Sequence, residues 1–332
     1  MVHQIIFRVE SKLLFYFLVF IQLVNISVAS GQTPTKKISP WYIYKEGSSF
    51  DDLAPYKKII SSVSVFGNPS KEFIDECHKN GILVYHGVSG KEKDIDTPEK
   101  IEAVANEYVN TCKLKGYDGI DLDYEQLEPK FQGTYSEFLR VVSSKLHHSG
   151  RKLSHCVGFY PSLSDDTIPH IFYDPKVVAE TCDLVRVMCY DMYYAPNRAN
   201  GIGPTSTYPW TRDAMNYWMK YVPRNKLVMG LPAYSNDYAM TLNGTGRQIS
   251  SDVPDVDSSS LPSPTWLWYE RINIYLYKAP DGDIHLFYAS DAKSTKNLLE
   301  LGDELGIHTI GFWHFGSVSP QMWLEVKEWE KK

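Results

Sequence analysis

The sequence predicts an α/β protein built as a closed (β/α)8 barrel, and three observations carry that prediction. Eight short β-rich runs follow one another along the chain, helical patterns with recognisable ends lie between several of them, and no G-x-G-x-x-G follows the first run. Strands alternating with helices are the pattern of parallel pairing through crossovers, and without the glycine fingerprint an open dinucleotide-binding sheet gains no support. The runs are Trp41 to Tyr44, Ile59 to Phe66, Ile82 to Val88, Gly119 to Tyr124, Leu153 to Tyr160, Leu184 to Tyr190, Leu227 to Tyr234 and Thr309 to Phe315. They and their helices fill about 250 residues, the usual size of such a barrel.

In chain order, residues 1–30 come first, with basic Arg8 and Lys12, an apolar run from Leu13 to Val24, and the small residues Ser27, Val28, Ala29 and Ser30. That is the plan of a signal peptide cleaved just after Ser30. The apolar run is shorter than the ~20 residues that cross a bilayer, so the expected product is an exported chain, extracellular or lysosomal, with no membrane attachment after cleavage. Residues 31–332 read as one domain, expected to act as a monomer. A helix starts at Thr97-Pro98-Glu99, aligns Ile101, Val104, Ala105, Tyr108 and Cys112, and stops at Gly116. A second begins at an apparent capping box, Thr134 with Glu137, and aligns Tyr135, Phe138, Leu139, Val142 and Leu146. A late helix groups Leu298, Leu301 and Leu305 before Gly306. Between the seventh and eighth strands, residues 236–291 are longer than one crossover requires. They hold a polar stretch, Ser250 to Pro264, and a hairpin of Ile274 to Lys278 with Asp283 to Tyr288 about Pro280-Asp281-Gly282, read as an excursion over one barrel face.

A net charge of −6 with 43% hydrophobic residues suits a soluble enzyme body and argues against a polyanionic partner such as nucleic acid. Aromatic content of 14% is high; most of it belongs to a core, and the excess fits sugar stacking. Five cysteines, Cys77, Cys112, Cys156, Cys182 and Cys189, are too few for a disulfide framework; their spacing assigns no pairs, and an odd count leaves at least one thiol unpaired within the chain. Asn243-Gly-Thr is a glycosylation sequon.

The chemistry concentrates in DGIDLDYE, Asp118 to Glu125. Side chains alternate across an extended segment, so Asp121, Asp123 and Glu125 share one face while Ile120, Leu122 and Tyr124 share the other. Like charges crowded on one side disfavour full ionisation, so at least one carboxyl should keep its proton near neutral pH, as a general acid must. A solvated acidic face is disfavoured by the apolar residues alternating with the acids. The loop spacing of a calcium site is missing, and neither a metal nor a cofactor is expected.

These residues resemble the DxxDxDxE signature of family 18 glycoside hydrolases, the chitinases and their relatives, and the match runs without a gap. The resemblance implies that Glu125 protonates the glycosidic oxygen, that Asp123 with Asp121 behind it orients the substrate N-acetyl group, and that Asp118 is the structural member of the motif. It further implies, from Met188-Cys189-Tyr190-Asp191 at the sixth strand, that the Tyr190 hydroxyl meets the acetamido group with Asp191 close by and Met188 in the cleft. Trp313, in TIGFWHFG, would floor the sugar at the cleavage site, and Tyr234, in Leu231-Pro232-Ala233-Tyr234, would lie near the cleft. Alone, such a Trp or Tyr is as readily a core residue, and His86, His155 and His314 are given no role. Tyr85-His86-Gly87-Val88-Ser89-Gly90 departs from the S-x-G-G segment of many chitinases in the family. Lys278-Ala-Pro-Asp-Gly-Asp with Phe287-Tyr288, and the Leu227 to Tyr238 stretch, look more like di-N-acetylchitobiase-type members, which act on short chito-oligosaccharides.

The implied partner is an N-acetylglucosamine-containing oligosaccharide or polysaccharide, cleaved with retention by a substrate-assisted route. Two alternatives stand beside hydrolysis of chito-oligosaccharides or chitin. One is endo-β-N-acetylglucosaminidase action on glycans or peptidoglycan-like chains; the other is a non-catalytic lectin on the same barrel, against which the retained Glu125 argues.

Overall fold

The structure, a computed structural model, describes residues 35–158, 171–257, 259–280 and 282–332. Residues 1–30, the predicted signal segment, lie outside the described residues, as do Phe159 and Tyr160 at the end of the predicted fifth strand. Residues Lys36–Lys332 form one compact unit.

The frame is a nine-stranded sheet in the order β1-β14-β8-β7-β6-β5-β4-β3-β2, with every pairing parallel. Its strands are β1 (Lys37–Ile38), β2 (Trp41–Ile43), β3 (Ser62–Phe66), β4 (Leu83–Val88), β5 (Gly119–Leu122), β6 (Lys152–Val157), β7 (Leu184–Met188), β8 (Leu227–Pro232) and β14 (Thr309–Trp313). The first two are halves of one run broken at Pro40, which has no N–H to give to a ladder. Because β1 pairs with β14 and β2 pairs with β3, that single run joins the two ends of the sheet. Eight barrel positions result, as the sequence predicts. The half strand at Lys37 is the addition, and it is too short to carry a periodic signal.

Helices cover the outside. Helix α1 (Lys71–Lys79), α2 (Pro98–Lys115) and α3 (Gln132–His148) follow β3, β4 and β5 in turn. Helices α4 (Pro175–Thr181), α5 (Tyr208–Trp218), α6 (Ala292–Leu305) and α7 (Pro320–Lys331) complete the layer. Thr97 caps α2 through its side chain and Gly116 ends it in the left-handed region at φ 91°, as read from sequence. The predicted capping box of α3 does not form. A 3-10 turn at Pro129–Phe131 runs straight into the helix, which starts at Gln132, so Thr134 already lies inside it. Its predicted apolar face is nevertheless the buried one: Tyr135, Phe138, Leu139, Val142 and Leu146 are fully buried against the strands.

The excursion is larger than a hairpin. Strands β9 (Ser235–Ala239), β10 (Gly246–Ile249), β11 (Thr265–Leu267), β12 (Ile272–Lys278) and β13 (Ile284–Ala289) form a second, antiparallel sheet in the order β10-β9-β13-β12-β11. The predicted hairpin is its β12–β13 pair, and Asp281 of its turn lies outside the described residues. β10 and β11, four and three residues long, are too short to show an alternation. Asp237, buried on β9, accepts from Arg247 of β10, Tyr277 of β12 and His285 of β13 and so ties four of these strands together. Asn243 stands exposed in the turn before β10.

All five cysteines are buried free thiols, so none of the bridges that export would permit is formed. No helix among the described residues is long and apolar enough to cross a membrane.

Candidate active site

The alternation of β5 divides its residues between two environments. Ile120, Leu122 and Tyr124 enter the layer under α2 and α3, where the Tyr124 hydroxyl meets that of Tyr108 at 3.0 Å. Asp121, Asp123 and Glu125 take the barrel side and rise from fully buried, through half-buried, to exposed. The strand itself stops at Leu122 rather than reaching Tyr124 or Glu125. The extended path continues only as far as Asp123, whose N–H still donates to Val88 O at 2.8 Å, and Gln126 then turns at φ 59°. Asp118 sits at the opposite end of the strand. Its carboxylate accepts from Val84 N at 2.7 Å and contacts His78 Nε2 at 2.8 Å, a structural position away from the cleft.

The barrel interior beneath the acids is polar. Ser64 Oγ donates to Asp121 Oδ2 at 2.6 Å, and the Cys156 thiol points at the same oxygen from 3.5 Å. Arg186 of β7, itself fully buried, brings Nε to 3.3 Å from Asp121 Oδ1. Burial, reinforced by the charges of Glu125 and Asp121, pushes the Asp123 carboxyl up to about 7. Glu125 is raised as well: although the residue as a whole is exposed, neighbouring atoms take part of the water from its carboxyl, and the charge of Asp191 adds to that. These are the two mechanisms that keep a carboxylic acid protonated: loss of water and crowding of like charge.

Aromatic side chains close around this column. Tyr190, Tyr234 and Trp41 are buried in one cluster with Cys156, and Met188, Phe66 and Trp313 pack against it. Trp313 lies nearly parallel to Tyr190 at 6.5 Å and edge-on to Trp41 at 6.0 Å. β7 ends at Met188, two residues short of the predicted end, and Asp191 takes φ 58°, which an Asp tolerates better than most residues. Its carboxylate Oδ1 accepts from Tyr234 Oη and Gln248 Nε2, both at 2.6 Å, while its N–H donates to Thr205 Oγ1. Glu125, Cys156, Tyr173 and Met188 line a cleft of about 90 Å3. A larger hollow of about 500 Å3, bounded by Tyr42, Asp52, Tyr56, His314 and Trp323, opens over the ends of β2 and β14, apart from the acids. The acid column, and not the larger volume, marks the chemistry, because only there do proton-holding carboxyls converge.

The structure thus brings Asp121, Asp123, Glu125, Met188, Tyr190, Asp191, Tyr234 and Trp313 to one end of the barrel and leaves Asp118 and Asn243 away from it. Sequence reasoning missed Ser64, Cys156, Arg186, Thr205 and Gln248. One signal was available: Arg186 is a charge between Val185 and Val187 in a β-rich run, a placement that demands a buried partner. Gln248 carried none, because it arrives from the second sheet. Among the described residues, no group of three or more His, Cys, Asp or Glu is arranged to hold a metal ion.

A parallel barrel whose mouth gathers a column of carboxyls within an aromatic wall defines a glycosidase-type architecture. The profile of glycosyl hydrolases family 18 matches residues 44–314, and the chain belongs to that family. Among curated proteins it is 27% identical over 233 residues to the cortical fragment-lytic enzyme of Bacillus subtilis (strain 168), covering 67% of this chain and 52% of the relative. It is 24% identical over 278 residues to the di-N-acetylchitobiase of Homo sapiens, covering 77% of this chain and 72% of the relative. The chain spans only about half the length of the cortical fragment-lytic relative it matches. Among solved structures, a chitinase from Chromobacterium violaceum ATCC 12472 superposes with a TM-score of 0.73 at 21% identity, over 90% of this chain and 99% of that one. The spore cortex-lytic enzyme SleL of Bacillus megaterium QM B1551 superposes with a TM-score of 0.75 at 16% identity, over 89% and 75%. At these identities the superpositions speak for the fold.

Proposed function

We propose that the chain hydrolyses β-1,4-linked N-acetylglucosamine oligosaccharides with retention of configuration, using the substrate's own acetamido group as nucleophile. The observation that carries this reading is the vertical order of carboxyls. Asp121 is buried, Asp123 is raised to about 7, and Glu125, also raised, stands exposed at the mouth, close enough to Asp191 to feel its charge. In the first step Glu125 gives its proton to the leaving glycosidic oxygen as that C–O bond breaks and the acetamido oxygen bonds to the anomeric carbon. Asp123 holds the acetamido N–H and offsets the charge growing on the ring so formed, and the Tyr190 hydroxyl orients the acetamido oxygen. In the second step Glu125 takes a proton from water, which attacks the anomeric carbon and frees the acetamido group. Trp313 supplies an apolar floor for the sugar ring.

Glu125→Gln keeps the shape and removes the proton. Hydrolysis of chito-oligosaccharides is expected to fall by at least about a hundredfold while oligosaccharide binding persists. A variant turning over at the wild-type rate overturns the assignment.

A second reading has its own support in the relatives named as cortical fragment-lytic enzymes: endo-β-N-acetylglucosaminidase action on a peptidoglycan-like chain. Product profiles from chitotriose, from a cortex-type peptidoglycan fragment and from a high-mannose glycan separate the two. Residues 1–30 are proposed to direct export, and amino-terminal sequencing of the exported protein, expected to begin just after Ser30, tests it.

A further inference from the structure

The proposed mechanism leaves Arg186 unused, although it lies at the centre of the barrel with no exposed surface. Two hydrogen bonds and two aromatic rings hold its guanidinium. Nε donates to Ser154 Oγ at 3.0 Å, Nη1 donates to Ser39 O at 2.6 Å, and the plane lies 5.5 Å from the Trp41 ring and 5.8 Å from that of Tyr85. Its side chain therefore meets Asp121 from a position set by β2, β4, β6 and the Ser39–Pro40 link between β1 and β2.

The two oxygens of Asp121 differ. Oδ2 is served by Ser64 and Cys156, whereas Oδ1 is buried without a hydrogen-bond partner among the described residues, and its compensation is Arg186 Nε at 3.3 Å. A buried carboxylate oxygen needs either a proton or a cation, since leaving it bare costs the full desolvation penalty. We propose that Arg186 is a positioning residue that stands in for a proton on Asp121, fixing Asp121 as the anion and confining the column's mobile protons to Asp123 and Glu125, the two carboxyls nearer the barrel mouth.

The other ionisable groups facing the column are consistent with this division. Cys156 on β6 and Tyr190 after β7 are pushed well up by burial and stay neutral, as does Tyr85 on β4; His155 turns to the other face of β6, where Nε2 meets the Tyr135 hydroxyl of α3, and burial pushes it down to about 4, so it brings no charge at neutral pH. Asp191 contributes its charge to Glu125. Arg186 is the cation in contact with the column among the described residues. The kinetic consequence rests on the hydrolase reading; the charge assignment does not.

Asp121→Asn tests the assignment, because asparagine imitates a protonated aspartate. Carboxyl titration is followed on the purified full chain by infrared difference spectroscopy with isotope-labelled aspartate, which needs no substrate. If Arg186 already neutralises an ionised Asp121, the substitution removes a like charge beside Asp123 and leaves the guanidinium without its anion, so the Asp123 titration moves down by at least about one pH unit. An unmoved titration means that Asp121 carried a proton from the start and overturns the proposal. In Arg186→Gln a second protonated aspartate is expected at pH 7, absent from Arg186→Lys and from Arg186→Gln with Asp121→Asn; the same band in Arg186→Lys also overturns it. On chito-oligosaccharides, Arg186→Gln is expected to lower kcat about tenfold with KM little changed, and Arg186→Lys to recover most of it. A loss that lysine does not recover marks Arg186 as structural only and counts against the proposal.

Discussion

Asp123 holds its proton into the range where most enzymes work, and this has a consequence for stability as well as for catalysis. Its carboxyl is raised from the ordinary 3.8 to about 7, chiefly by burial and then by the charges of Glu125 and Asp121. The native chain therefore binds this proton more tightly than the unfolded chain does. The contribution is complete below about pH 4 and is lost as the pH climbs through about 7. Asp123→Asn removes that loss. Urea unfolding at pH 4 and pH 8 is expected to show the variant gaining about 2–4 kcal/mol relative to wild type between the two, while hydrolysis falls sharply at both. An unchanged difference across that interval would mean that Asp123 is ionised in the native state throughout.

The elements are fastened at the end of the barrel opposite the acids, and one device occurs twice. Asp118, just before β5, accepts from Val84 N and touches His78 of α1; Asp183, just before β7, accepts from Leu153 N at 2.8 Å and touches His147 of α3 at 2.8 Å. Each ties a strand start to the preceding strand and to a helix end. Asp118→Ala leaves Val84 N without its acceptor and is expected to cost about 1–2 kcal/mol in urea unfolding with the pH profile of hydrolysis unchanged, a contrast with Arg186. Close packing also fixes β5 against β6. A Cβ on Gly119 would lie 2.3 Å from Lys152 O, a backbone atom that cannot turn aside, so no larger residue fits there without parting the strands. At this scale the sequence was readable wherever periodicity was strong. It named the faces of α2 and α3, but placed a capping box at Thr134 because a Thr and a Glu three residues apart say nothing of the 3-10 turn already feeding the helix.

Over the whole molecule, the second sheet completes the site of the first. Gln248 on β10 donates to the Asp191 oxygen that also accepts from Tyr234, so the excursion holds in place an acid whose charge raises Glu125. Gln248→Ala is expected to raise KM severalfold and to leave the melting temperature within about 2 °C, since the lost contact is partly exposed; a large fall in stability with KM unaltered would make the contact architectural.

What the sequence determined by itself was the eight barrel runs and the sidedness of DGIDLDYE, because alternation along an extended chain is a local property that needs no partner. Crowding alone also led to the expectation that at least one carboxyl in this group keeps its proton. Tertiary structure decided which one is raised to about 7, since desolvation depends on the depth of Asp123 within a closed barrel. It also decided the company of that group: Arg186 and Ser64 meet Asp121, and Gln248 meets Asp191, across separations of 57 to 65 residues that no local pattern spans.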